Sequence, residues 1–186
     1  MRAYADSSLI LRLITGESGA QQAAAEYRRL GRPALCYLPL HALEVENGIR
    51  QRAFHERRVL PSGQRARITR ERDAALARLT GWVTRGALKE MVIDMDLAMD
   101  RARELSATHS EKTGARAIDL LHVACALLFE SEVFLTSDQR QAALGKAEGL
   151  QVTLVRATDQ AALFPDVLLD GAPRTTCGSA LRTLPS

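Results

Sequence analysis

Four carboxylic acids, widely separated along the chain, could together hold a divalent metal ion. They are Asp6, Glu44, Asp119 and Asp138. Asp119 lies inside ARAIDLLHVACALLF, residues 115 to 129, one of the most apolar stretches of the sequence, where an unpaired charge would cost several kcal/mol. Carboxylates that converge repel one another unless a cation is bound. Oxygen ligands without cysteine favour Mg²⁺ or Mn²⁺ over zinc.

Three of these residues also have a purely structural interpretation. Asp6 and Asp138 each stand between a strand-like run and a helix-like run, where Asp commonly caps a helix N-terminus. Asp119 could cap a helix that starts near residue 120, or could pair with His122 or Arg116 one turn away. Structural pairing and metal binding therefore both remain open for these carboxylates.

Glu44 lies in LPLHALEVENGIRQRAF, residues 38 to 54, which we predict to be a helix. At 100° per residue, Glu44 shares a narrow polar stripe with Asn47, Gly48 and Gln51, and apolar residues flank that stripe on both sides. A polar stripe between apolar ones can line a cleft. The alternative is that Glu44 is an ordinary exposed charge.

Strand-like runs alternate with amphipathic segments along most of the chain. The predicted strands cover residues 2–5, 34–38, 91–93, 133–136 and 151–155. This alternation predicts an α/β fold with a mainly parallel sheet covered by helices. In such a fold functional residues collect at the carboxyl ends of the strands.

The chain divides into a predicted domain and a C-terminal extension. Its 186 residues suit one well-buried domain, which we place at residues 1–156. Residues 157–186 bring Pro, Gly, Thr and Ser together with little periodicity. We expect this extension to be flexible or to order on a partner.

Composition and local sequence exclude several classes of protein. No apolar run is long enough to span a bilayer and no signal-peptide pattern opens the chain, so we expect a cytoplasmic protein. Cys36, Cys125 and Cys177 lack the spacing of a zinc site or a disulfide framework. The aromatic content of 4% argues against domains that bind nucleic acid by stacking bases on aromatic rings.

One segment carries most of the positive charge. Between Arg50 and Arg72 there are eight Arg and two Glu, a local charge of +6, although the net charge of the whole chain is only +3. Such a segment is suited to contacting phosphates. A solvated helix face would account for the same pattern.

Four motifs together resemble the PIN-domain ribonucleases, especially the VapC-type toxins of bacterial toxin–antitoxin pairs. The motifs are YADSSLILRL, HALEVENGIRQR, ARAIDLLHVACAL and FLTSDQRQAALGKAEGLQV, in order over roughly residues 1 to 155. The resemblance implies a PIN-like α/β/α sandwich whose metal-binding and catalytic acids are Asp6, Glu44, Asp119 and Asp138. It also implies that Thr136 is the supporting hydroxyl of a T-x-D element.

The same resemblance implies a function and partners. They are Mg²⁺- or Mn²⁺-dependent hydrolysis of RNA phosphodiesters, a homodimer, and inhibition by a cognate antitoxin protein. Gln139 and Gln141 stand where some members carry a further acidic residue, which leaves a second metal site unsupported. The alternative function is a non-catalytic RNA- or protein-binding module on the same fold.

Overall fold

The computed structural model describes residues 1–156 of the chain. The predicted C-terminal extension, residues 157–186, lies outside the described residues. The domain boundary near residue 156 therefore stays a prediction.

Within residues 1–156, short strands alternate with helices. The strands are β1 (Ala3–Ala5), β2 (Leu35–Tyr37), β3 (Leu88–Glu90), β4 (Val133–Thr136) and β5 (Val152–Leu154). The helices are α1 (Ser7–Thr15), α2 (Ala20–Arg29), α3 (Pro39–Val59), α4 (Arg65–Thr84), α5 (Met95–Thr113), α6 (Ala117–Leu128) and α7 (Gln139–Ala147), with a 3₁₀ turn at Ser62–Gln64. None of these helices combines the length and apolar character needed to cross a membrane.

The five strands form one parallel sheet in the order β3-β2-β1-β4-β5. Successive side chains of a strand point to opposite faces, and β1 shows this directly. Ala3 and Ala5 join the core under α1, α2, α3 and α4. Tyr4 joins the core under α5, α6 and α7. The sheet is thus sandwiched between two helical layers, which confirms the predicted fold class.

The third predicted strand was misplaced. The structure has β3 at Leu88–Glu90 rather than at 91–93, and Met91 contributes only an N–H donated to the Tyr37 carbonyl. Leu88 is buried, but Lys89 and Glu90 are exposed because this strand is the edge of the sheet. Because two of the three residues of β3 are charged, its sequence does not resemble a buried strand. The prediction therefore fell on the more apolar residues 91–93 that follow it.

The order of the strands creates a crevice between β1 and β4. After β1 the chain builds outward through β2 and β3, and it then returns to place β4 on the other side of β1. Ala5 pairs with Leu135, and the N–H of Asp6 donates to the Leu135 carbonyl at 3.0 Å. The residues that follow the two strands therefore leave the sheet side by side, at the position where ligands bind in open parallel sheets.

Candidate active site

A cleft of about 260 Å³ opens at this crevice, and all four predicted acids line it. Its walls are Asp6, Ser7, Ser8, Glu44, Ile118, Asp119, His122, Ser137, Asp138 and Gln141. The acids come from four parts of the chain: the end of β1, the second turn of α3, the first turn of α6 and the loop after β4. Folding thus brings together the residues that the sequence singled out.

Asp6 both caps a helix and faces the cleft. Its side chain is fully buried. Oδ1 accepts the backbone N–H of Leu9 at 2.9 Å, which caps α1. Oδ2 accepts the hydroxyls of Ser8 and Thr136 at 2.8 and 2.9 Å. Burial raises the pKa of Asp6, and the charge of His122 together with these hydrogen bonds offsets only part of that rise.

Thr136 connects two of the acids. Its buried hydroxyl donates to Asp6 and accepts the backbone N–H of Asp138 at 2.9 Å. A single hydroxyl thereby fixes the loop that carries Asp138 against the end of β1. This geometry suits the supporting role that the resemblance implies for Thr136.

Asp138 is a helix cap that also lines the cleft. It accepts the backbone N–H groups of Arg140 and Gln141 at 2.6 and 3.3 Å at the start of α7. The Arg140 guanidinium lies 3.0 Å from its other oxygen. Burial acts to raise the pKa of Asp138, but hydrogen bonds from Arg140 outweigh burial and lower it. The capping interpretation is correct for this residue, and it does not remove Asp138 from the cleft.

Asp119 contacts one of its two predicted partners, Arg116, through the backbone, and a further partner, Gln141, that was not predicted. Helix α6 begins at Ala117 rather than near 120, so Asp119 lies inside its first turn. Oδ2 accepts the backbone N–H of Arg116 at 2.9 Å, and Oδ1 accepts the Gln141 side-chain amide at 3.1 Å. The alternative partner, the His122 ring, instead contacts Tyr4, Ser7 and Glu44.

Glu44 and His122 form the other wall of the cleft. Glu44 Oε2 accepts the Ser7 hydroxyl at 2.8 Å and lies 2.6 Å from His122 Nε2. Tyr4 Oη lies 2.9 Å from His122 Nδ1. Burial raises the pKa of Tyr4 well above its usual value, so the phenol keeps its proton. His122 Nε2 donates to the Glu44 carboxylate.

This arrangement keeps Glu44 ionised. Burial alone would raise the pKa of Glu44, but the hydrogen bond and charge of His122, with the Ser7 hydroxyl, outweigh burial and lower it. Sequence reasoning missed Tyr4 and Ser7, and of the two partners that it suggested for Asp119 only Arg116 contacts that carboxylate. The one available signal was a histidine inside an apolar run, and that signal does not identify what the ring contacts.

The PIN domain family matches residues 3–147 of the chain, most of its length. The chain belongs to the PIN-domain family. PIN domains are usually nucleases and generally use divalent metal ions. A comparison with curated proteins gave no match.

The donors of this PIN domain fit a hard divalent cation bound largely through water. Within residues 1–156, no group of three or more His, Cys, Asp or Glu side chains lies close enough to hold a metal ion directly. The cleft nevertheless collects four carboxylates and the side chains of three serines, Ser7, Ser8 and Ser137, in a space that admits several waters. Mg²⁺ needs oxygen ligands and usually keeps several of its waters. The chemistry of the lining therefore suits such an ion.

The basic segment of the PIN domain contributes no residue to the lining of the cleft, and it covers the end of α3 and the start of α4. Half of its eight arginines have an acidic partner: Arg50, Arg52, Arg67 and Arg72 pair with Glu46, Glu56, Glu71 and Asp73. Arg57, Arg58, Arg65 and Arg70 are exposed and make no ion pair with any residue in 1–156. We call these four residues the unpaired arginines.

Proposed function

We propose that this PIN domain is a Mg²⁺- or Mn²⁺-dependent endoribonuclease. The observation that carries the proposal is the convergence of four carboxylates, from four separate elements, on one cleft at the carboxyl edge of a parallel sheet. Such a concentration of negative charge is electrostatically unfavourable without a cation. Membership of a family whose members are usually nucleases supports the same conclusion.

Three of the acids would hold the ion, directly or through water: Asp6, Asp119 and Asp138. A bound ion would supply an acidified water for attack on phosphorus and would neutralise charge that develops on the phosphate. Thr136 keeps Asp6 and Asp138 in register through its two hydrogen bonds. Its role is to position ligands rather than to react.

Glu44 would ligate the ion or hold the attacking water. Because His122 and Ser7 both donate to Oε2, the other oxygen of the carboxylate is left to accept a hydrogen bond from a water in the cleft. Its lowered pKa keeps Glu44 ionised, so its carboxylate can accept a hydrogen bond from that water and orient it.

The unpaired arginines would bind the RNA backbone. They are exposed guanidinium groups whose charge no acidic side chain in residues 1–156 neutralises. Contacts between Arg and phosphate set affinity and orientation rather than base sequence. An exposed positive surface outside the cleft suits a polyanionic substrate that extends beyond the cleft.

A cleavage assay on RNA tests the enzymatic proposal. The full chain should cut single-stranded RNA with Mg²⁺ or Mn²⁺, lose activity in EDTA and regain it when excess metal is added. RNA binding is measured in parallel by fluorescence anisotropy, with and without EDTA. Tight binding without cleavage under every metal condition would favour the alternative, a non-catalytic binding module.

The resemblance to VapC-type toxins supports a biological role that we propose as well: a homodimeric toxin held inactive by a cognate antitoxin protein. Induced expression of the full chain should arrest bacterial growth, and expression of the Asp6→Asn variant at an equal level should not. Sedimentation analysis of the purified chain checks the dimer. Equal growth with both proteins would count against the toxin role without touching the cleavage result.

A further inference from the structure

Arg140 places a fixed positive charge beside two of the four acids. Its Nη2 lies 3.0 Å from Asp138 Oδ2, and its Nε lies 4.0 Å from Asp119 Oδ2. A second contact joins Nε to Asp138 Oδ1 at 3.4 Å. One guanidinium thus lies within ion-pair distance of both carboxylates on this side of the cleft.

The stability of α7 does not account for a cation at this position. Arg140 is in the first turn of the helix, where the helix dipole favours negative side chains and opposes positive ones. Asp138 caps α7 by accepting the backbone N–H groups of Arg140 and Gln141. Those bonds do not involve the Arg140 side chain. The guanidinium of Arg140 therefore interacts with Asp119 and Asp138 and does not stabilise the helix.

Gln141, the next residue, supports the same wall of the cleft without charge. Its amide donates to Asp119 Oδ1 at 3.1 Å, and its Oε1 is buried with no hydrogen-bond partner in the described part of the chain. Reversing the amide would bring Oε1 against a carboxylate, so the observed orientation is the favourable one. Between them, Arg140 and Gln141 donate to both acids of this wall.

Within residues 1–156, no arginine or lysine pairs with the acids of the opposite wall. Asp6 is held by hydroxyls and a backbone N–H, and Glu44 is held by Ser7 and the His122 ring. The two walls differ in charge compensation: one carries its own arginine, and the other relies on neutral donors and a histidine.

We propose that the Arg140 guanidinium partly neutralises the acids of the cleft and so takes the place of a second divalent ion. The chain then holds one metal ion, and holds it more weakly than its four carboxylates would without the arginine. This inference rests on the metal site proposed above. It makes Arg140 a positioning residue that sets metal affinity and number, not a catalytic one.

Calorimetric titration of the metal-free full chain with Mn²⁺ tests this inference. The parent should bind one Mn²⁺ per chain. Arg140→Gln should bind Mn²⁺ more tightly by on the order of tenfold, because a like charge a few ångströms from the ion is removed and Asp138 is released. Arg140→Lys keeps the charge and should stay near the parent affinity.

Arg103→Gln is the matched control, because it removes the same charge from an exposed pair with Asp100 on α5. Its Mn²⁺ affinity should equal that of the parent. Equal affinity in Arg140→Gln and the parent, tightening in Arg140→Lys as large as in Arg140→Gln, or two Mn²⁺ per parent chain would each overturn the inference while leaving the proposed nuclease intact. Absence of Mn²⁺ binding in every protein would overturn both.

Discussion

Asp138→Asn is expected to leave the metal-free protein folded and to lower RNA cleavage about a hundredfold, equivalent to about 2.7 kcal/mol of transition-state stabilisation. Asn caps helices about as well as Asp, so the bonds to the Arg140 and Gln141 N–H groups can persist. The lost pair with Arg140 is partly exposed and is worth at most about 1 kcal/mol. Relief of repulsion with the neighbouring acids offsets part of that loss.

The metal dependence of stability separates a ligand from a cap. At a hundredfold excess of Mg²⁺ over its Kd, the parent should gain about 2.7 kcal/mol of unfolding free energy, and Asp138→Asn should gain clearly less. Asp94→Asn is the control, because Asp94 caps α5 through the N–H groups of Asp96 and Leu97 in the same way but does not line the cleft. Melting curves in EDTA and in Mg²⁺ make the comparison. If Asp138→Asn keeps the full Mg²⁺ shift and cleavage, Asp138 is only a cap.

Lowering the pH from 7 to 5 is expected to cost the protein about 2 kcal/mol of stability through His41 alone. The ring is fully buried. Nδ1 accepts the Leu38 N–H and Nε2 donates to the Ala5 carbonyl, both at 3.0 Å, so the neutral ring already uses both nitrogens. Burial, with a contribution from His122, lowers the pKa of His41 to about 3.

The sign follows from where the two states take up the proton. Unfolded His41 is protonated below about pH 6.5, whereas native His41 resists protonation until about pH 3. Acid therefore favours the unfolded chain across that interval. Urea unfolding at pH 7 and pH 5 measures the effect: His41→Gln should lose about 2 kcal/mol less than the parent between the two pH values. The exposed His55→Gln on the same helix should behave as the parent does, and equal losses in all three proteins would contradict the prediction.

The sequence predicted the sheet where strands are buried and failed where a strand is exposed. β1, β2 and β4 have only buried residues, so each lies in a largely apolar stretch of the sequence. β3 places two charged residues in solvent at the edge of the sheet. Its pairing with β2 is a tertiary contact, and periodicity along the chain carries no information about it.

The acids that line the cleft were predictable, but most of their partners were not. A carboxylate in an apolar setting or at the end of a strand is visible in the sequence. Several of the contacts that orient it join residues far apart, as with Glu44 and His122, which are 78 positions apart. In the sequence, Arg140 looks like an ordinary surface charge. Only the fold shows that it lies beside Asp119 and Asp138.

Three of the four acids hold the start of a helix: Asp6 for α1, Asp119 for α6 and Asp138 for α7. Helix N-termini stabilise negative charge, so the backbone itself keeps these groups in place before any ion arrives. A domain that folds only around its metal must refold at each loss of the ion. Here the ion would bind to and leave a domain that is already folded. Metal depletion would then stop activity, and activity would return at the rate of ion binding. Metal-free molecules would remain folded and could cleave again once the ion binds.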